Sequence, residues 1–291
     1  CLALQNLGRL DDARGACERA IELQPSLPNG YWARGLIGLS NGHLDDAIAD
    51  YRRALDAAPQ RYDLRLQLAW LYLDVGRLPP ARTEFETAVA ARPDDPEVAI
   101  EAARYALATD DDAALAAAVN HAAEAPTATP ATLVDAALLA LVLGDTRRAV
   151  RAVERARALP GYDESQLYGL WLARWGRLPP LALVLVDRAR GDEAAARRRL
   201  DALERFVRDL QANGQAWAGL DYLGASVAAL RGDRGTAFAR LDAAVTHGWR
   251  RAWWPRRDPS LAPLRADPRF QSWLARVEQA ATEVGARVDA P

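Results

Sequence analysis

The sequence predicts an all-α array of stacked helical hairpins, and three observations lead there. Residues 28–61 and 62–95 align without a gap, and their matching positions lie 34 residues apart. The alanines 20, 54, 88, 122 and 156 extend that interval along the first half of the chain. Half of the residues are hydrophobic (50%), enough for one continuous core shared by all units.

Within the aligned pair, Gly42 falls on Gly76, Ala47 on Ala81, Tyr51 on Phe85, Ala54 on Ala88 and Pro59 on Pro93. Backwards, the same columns hold Gly8, Ala13, Cys17, Ala20 and Pro25. Forwards they hold Asp110, Leu115, Val119 and Ala122, then Gly144, Ala149, Val153 and Ala156. Each column has a physical reason. A glycine between two helices takes the positive φ of a helix C-cap. Small residues let antiparallel helices approach, aromatics fill the space between hairpins, and prolines end the second helix.

These columns resemble the tetratricopeptide repeat family from residue 1 to about 160. Tyr31-Trp32 with Gly35 and Gly38, and Leu68-Ala69 with Tyr72, partly meet the family's first-helix pattern, and the second-helix pattern is met better. The fourth unit departs most, with Asp110 for Gly and Leu115 for Ala, which puts its turn in question. The resemblance implies a right-handed α-solenoid with a concave face lined by the first helix of each unit.

In order, residues 1–25 read as the tail of a first repeat. Asp11-Asp12 and Asp45-Asp46 start second helices, where acids suit the positive helix end, and Pro79-Pro80 take the same place in the next unit. Asp110-Asp111-Asp112 reads as an N-cap cluster rather than a metal site. Residues 133–143 are almost wholly apolar and should be buried on more than one side. After Pro160 the strict period fails, and residues 161–248 read as two divergent repeats. They comprise a helix over 162–175, a turn at 176–180 that copies 76–80, a helix over 181–190, a long helix over 192–212, and a last pair over 216–230 and 236–246. Residues 249–291 contain Pro255, Pro259, Pro263 and Pro268. They read as a folded-back loop and a capping helix from about residue 268, with the last ten or so residues frayed. The Asp-Pro-rich ending resembles those that follow repeat arrays in bacterial signalling proteins. The total is about seven hairpins, five regular and two divergent.

The formal charge of −2 gives no reason to expect nucleic acid or an anionic membrane as partner. All 37 basic residues are arginine, and methionine is absent. The chain opens within a helix pattern, so it reads as a fragment or a processed product. No apolar run is long enough for a membrane span. A cytoplasmic location is favoured, with a periplasmic or lipid-anchored one left open by the start at Cys1. Two cysteines make a poor disulfide framework, and Cys17 stands in the aromatic column as a buried thiol.

No phosphate loop, zinc motif or nucleophile elbow is present, and His43, His121 and His247 fall on no metal spacing. No cofactor and no catalytic residue is expected. Arg250, Arg251, Arg256 and Arg257 with Trp249, Trp253 and Trp254 fit either a phosphate-binding patch or a terminal cap, and the cap is favoured.

What the family resemblance implies about function is non-catalytic binding of a protein or peptide. Carried over residue by residue, the concave face holds Asn29, Trp32 and Leu36, then Asp63, Leu66 and Trp70, then Glu97, Glu101 and Arg104, and lastly Val134 and Leu138. A clamp for a terminal carboxylate needs Lys and Asn, and acids stand in several of those places. An apolar or amphipathic segment is therefore the expected partner, with Arg104 as an ionic contact. Packing of these residues on the next helix or on the C-terminal segment is the equal alternative. Two further readings are the sensor part of a larger signalling protein, and an enzyme or small-ligand site near Tyr168, Trp171, Trp175 and Tyr222.

Overall fold

The computed structural model describes residues 1–7, 9–168 and 179–288. Among them there are helices and no strands. The helices are α1 (Leu2–Asn6), α2 (Leu10–Leu23), α3 (Pro28–Ser40), α4 (Leu44–Ala57), α5 (Tyr62–Asp74), α6 (Leu78–Ala91), α7 (Pro96–Ala108), α8 (Asp112–Glu124), α9 (Pro130–Val142) and α10 (Thr146–Ala158). Then come α11 (Pro179–Ala189), α12 (Glu193–Ala212), α13 (Ala218–Arg231), α14 (Arg234–Thr246) and α15 (Pro268–Val288). Short 3-10 helices cover Glu164–Tyr168 and Pro259–Leu264. Successive helices pair as antiparallel hairpins, α3 with α4 through α13 with α14, and the hairpins stack into an α-solenoid.

One turn closes the hairpins. His43 N–H donates to Gly38 O at 2.8 Å, and Arg77 N–H to Tyr72 O at 2.7 Å. Asp111 to Ala106, Asp145 to Ala140 and Asp192 to Asp187 repeat the bond at 2.9 Å, and Asp233 to Ala228 at 3.0 Å. This is the six-residue helix stop, with its left-handed residue at C′. Gly42, Gly76, Gly144, Gly191 and Gly232 supply that conformation. In the fourth unit Asp110 adopts it at φ 56°, so the departure in sequence leaves the turn unchanged. A left-handed conformation costs a non-glycine residue about 1–2 kcal/mol, and Asp is among the residues that tolerate it. In the later units an aspartate beside the turn caps the following helix. Asp111 accepts from Ala114 N–H at 2.9 Å and Asp145 from Arg148 N–H at 2.9 Å, so within the acidic run Asp111 is the N-cap, Asp110 the turn residue and Asp112 a partner of Arg257.

The alanine column is the packing seam. Ala54, Ala88, Ala122 and Ala156 are wholly buried, as are Ala47, Ala81 and Tyr51. Ala20, in the first unit, is exposed. Phe85 is half-buried and stacks on Tyr105 with ring centroids 4.6 Å apart. In α9 every residue from Thr132 to Ala140 is buried, as its apolar sequence implies.

Several expectations need correction. Cys17 is buried but is not a thiol: its sulfur is joined to that of Cys1, with Cα atoms 5.2 Å apart, and the bond ties α2 to the start of the chain. The helix expected over 162–175 begins as a 3-10 turn at Glu164, and the rest of it, with the turn at 176–178, lies outside the described residues. The end of the chain is not frayed to residue 282. Helix α15 continues to Val288 because Val284 and Gly285 are buried against the early units.

That last contact sets the shape. Helix α15 packs on α14 and also on α4. Arg287 pairs with Asp45 at 2.6 Å. A Cβ on Gly285 would stand 2.5 Å from Val75 O. The turn at Gly42 also meets the turn at Gly248, where a Cβ on Gly42 would lie 2.8 Å from the Gly248 Cα. The array therefore curves until its late units touch its early ones. We expect Gly76→Ala, which meets no atom within 4 Å, to cost only the conformational penalty of about 1–2 kcal/mol. Gly42→Ala should cost roughly 1–3 kcal/mol more, from overpacking against Gly248. Chemical denaturation of the two variants measures the difference, and equal losses would show that the two turns do not press together.

Candidate peptide-binding groove

Helices α5 and α7 are the first helices of adjacent units. On α5 the stripe Asp63, Leu66, Gln67 and Trp70 follows the i, i+3, i+4, i+7 spacing that puts residues on one face. On α7, Pro96 opens the helix and Asp95 caps it, accepting from Glu97 N–H at 2.9 Å. That start aims Glu97, Glu101 and Arg104 at the α5 stripe. Between the stripes lies a cleft of about 210 Å³, lined by Tyr62, Asp63, Leu66, Gln67, Trp70, Glu97, Val98, Glu101, Arg104 and Arg251.

Six of the sequence-predicted residues thus meet: Asp63, Leu66, Trp70, Glu97, Glu101 and Arg104. The other five do not line the cleft. Leu36, Val134 and Leu138 are buried in the core, because neighbouring helices cover the first helices of units two and five. Asn29 is exposed but away from the cleft. Trp32 is half-buried and reaches the cleft through Gln67, to whose Oε1 its Nε1–H donates at 3.0 Å.

The polar atoms are mostly spoken for. Trp70 Nε1–H donates to Glu101 Oε2 at 2.6 Å. Arg104 donates to Glu101 Oε1 at 3.1 Å and pairs with buried Asp135 at 3.2 Å, so it is a tie between α7 and α9 before it is a contact for any ligand. Burial pushes the Asp63 carboxyl up, but its hydrogen bonds and charge pairing with Arg61 outweigh that and hold it below its ordinary value. Glu97 is exposed at the rim. The floor of Leu66, Val98 and the Trp70 ring is apolar. The cleft is accordingly more polar than the apolar groove expected from the sequence.

One wall comes from far along the chain. Arg251 donates to Asp74 from Nε and Nη2, both at 2.9 Å. Its guanidinium lies over the Trp70 ring, 5.3 Å from the centroid. Trp253 Nε1–H donates to Asp74 at 3.1 Å, and its ring centroid is 5.2 Å from that of Trp70. Tyr62, Gln67 and Val98 are legible as neighbours on the two helical stripes. Arg251 carried no such signal, being 177 residues from its partner.

The arginine and tryptophan cluster is spent on the fold rather than on phosphates. Arg250 donates to Val245 O and Trp249 O, Arg256 pairs with Glu278, and Arg257 pairs with Asp112. Trp249 stacks on Tyr222 at 4.0 Å. Tyr222, fully buried, donates to Asp258 at 2.7 Å, and Trp254 Nε1–H donates to the same carboxylate at 2.9 Å. Burial raises the Asp258 carboxyl, and hydrogen bonds from Ser260, Tyr222 and Trp254 only partly offset it. Tyr222 is therefore part of a buried network and not a ligand group. Trp171, Trp175 and the Tyr168 side chain lie outside the described residues.

Comparison with known proteins agrees with the architecture. Two tetratricopeptide repeat family models match, one over residues 39–105 and one over residues 2–62. Residues 2–105 thus match tetratricopeptide repeats. Among solved structures it is similar to Pseudomonas aeruginosa pilF, at 19% identity and a TM-score of 0.43, over 80% of this chain and 90% of that one. It is also similar to a tetratricopeptide repeat protein from Parabacteroides merdae, at 14% identity and a TM-score of 0.48, over 96% of this chain and 95% of the other. No curated protein matches. No helix among the described residues is long and apolar enough to cross a membrane.

Glu101 holds the two stripes together, so removing it tests the geometry. Glu101→Ala leaves the Trp70 N–H without its acceptor and Arg104 with Asp135 as its ion partner. We expect a loss of roughly 1–3 kcal/mol by chemical denaturation. A change within about 0.5 kcal/mol would mean that the bridge is not formed in solution.

Proposed function

We propose that this protein is a non-catalytic scaffold that binds a peptide segment of a partner protein in the cleft between α5 and α7. The tetratricopeptide fold supports an interaction role. The observation that carries the assignment to this cleft is the arrangement of an apolar floor, Leu66, Val98 and Trp70, beside rim groups that can give direction. Such a combination suits a segment that buries one apolar side chain and sets a charged one on the rim. Glu97 is the exposed acid there, so the charged group on the peptide is basic. Clefts of this size take a few side chains rather than a folded domain.

The Trp70 side chain is a poor first target for mutation, since it also holds Trp253 and Glu101. Glu97→Arg is cleaner, because it reverses a rim charge without opening the core. Peptides selected from a random display library on the immobilised full chain provide the probe. Glu97→Arg should weaken the selected peptides by about tenfold, or about 1.4 kcal/mol. The same reversal at exposed Asp209, on α12, should leave them unchanged. Selected peptides that ignore Glu97→Arg, or a library that yields no binder, would overturn the assignment.

A further inference from the structure

The groove is not empty along its whole length: the chain lays part of itself in it. Between α14 and α15 the residues 249–257 form a strap without helix that reaches α5. The strap touches α5 through side chains. The Arg251 guanidinium grips Asp74 with two hydrogen bonds at 2.9 Å, and the Trp253 indole shares that carboxylate and lies against Trp70. Asp74 is only 6% exposed. We propose that Asp74 and Trp70 form a receptor for an arginine–x–tryptophan motif, that Arg251 and Trp253 are its resident occupant, and that a partner segment carrying the same motif exchanges with them. This rests on the reading of the concave face as a peptide site.

Three features support exchange rather than a permanent seal. First, the strap is pinned on either side of the contact. Trp249 stacks on Tyr222 upstream, and Trp254 bonds to Asp258 downstream. Arg251 and Trp253 can therefore leave α5 without unravelling the residues that flank them. Second, the contact adjoins an open cleft, since Arg251 is itself a lining residue beside Leu66, Glu97 and Glu101. An incoming segment has a place to land before the resident leaves. Third, the chemistry restricts what can replace it. A buried carboxylate stripped of its cation is strongly disfavoured, so a purely apolar segment cannot take the place. A guanidinium matches the carboxylate bidentately and also stacks on the indole, which an ammonium does less well. The partner is thus a peptide with arginine two residues before tryptophan, and the strap competes with it at the high effective concentration of a tethered ligand.

The probe is a fluorescently labelled synthetic peptide with the sequence of residues 249–255, titrated into the full chain. Wild type should bind it weakly. The double variant R251A/W253A, which vacates the receptor, should bind it at least about tenfold more tightly. Adding Asp74→Asn to that variant should remove the gain, as should replacing the arginine matching Arg251 or the tryptophan matching Trp253 in the peptide by alanine. Circular dichroism checks that the helices persist. If R251A/W253A does not fold, W253A alone, which keeps the ion pair, carries the same comparison with a smaller expected gain. Equal binding by wild type and the opened variants, or a gain that survives Asp74→Asn, overturns the proposal. Library peptides that bind with dependence on Glu97 but not on Asp74 would overturn this inference and leave the peptide-groove reading standing.

Discussion

The structure depends on how closely two antiparallel helices can approach. A single hairpin has too little surface to bury its own apolar face, so it is stable only when stacked. The buried alanine columns at positions 47 and 81, and at 54, 88, 122 and 156, set the spacing of that stack. With no side chain beyond Cβ at those points, helix backbones come together and the larger groups, Tyr51 among them, fill what remains. A larger residue there would force the hairpins apart and lose contacts along the whole seam.

Stacking with a small rotation per unit makes the array curve. Here the curve brings the turn at Gly248 against the turn at Gly42 and lays α15 on α4. Closure has a cost in freedom and a benefit in burial: the strap and α15 give the early units a second set of neighbours. Arg287 with Asp45, Arg257 with Asp112 and Arg251 with Asp74 fasten the late part of the chain to three different early units. The first two are surface pairs of small net value. The third is largely buried and carries indole contacts as well, so it seats the middle of the strap against α5, between the anchors at Trp249 and Trp254.

That position explains the mixed character of the cleft. The first helices supply an aliphatic floor and a run of acids, and the strap adds a cation and an indole. Nearly every charge finds its partner inside the protein, and Glu97 stands apart at the rim. Recognition at such a site rests on shape and on exchange of like for like rather than on bulk attraction, consistent with the near-neutral chain.

The hairpins, their turns and their order were legible from residue patterns, because these are near-neighbour properties. Glycine at a helix stop, acids at the next helix start and alanine in the seam each act within one unit or between adjacent ones, and they recur every 34 residues. Even the left-handed Asp110 stands in the glycine column. The cleft was half legible: the α5 and α7 stripes follow from helical spacing, whereas the burial of Leu36, Val134 and Leu138 depends on what covers them. The Cys1–Cys17 bond and the pairing of Arg251 with Asp74 were not legible, and packing of the groove residues on the C-terminal segment was one of two open readings. The sequence by itself determined the repeating unit, while only the tertiary structure decided which units meet across the ring. The reason is physical. Closure depends on the sum of many small rotations between units, and no single unit displays that sum in its residues.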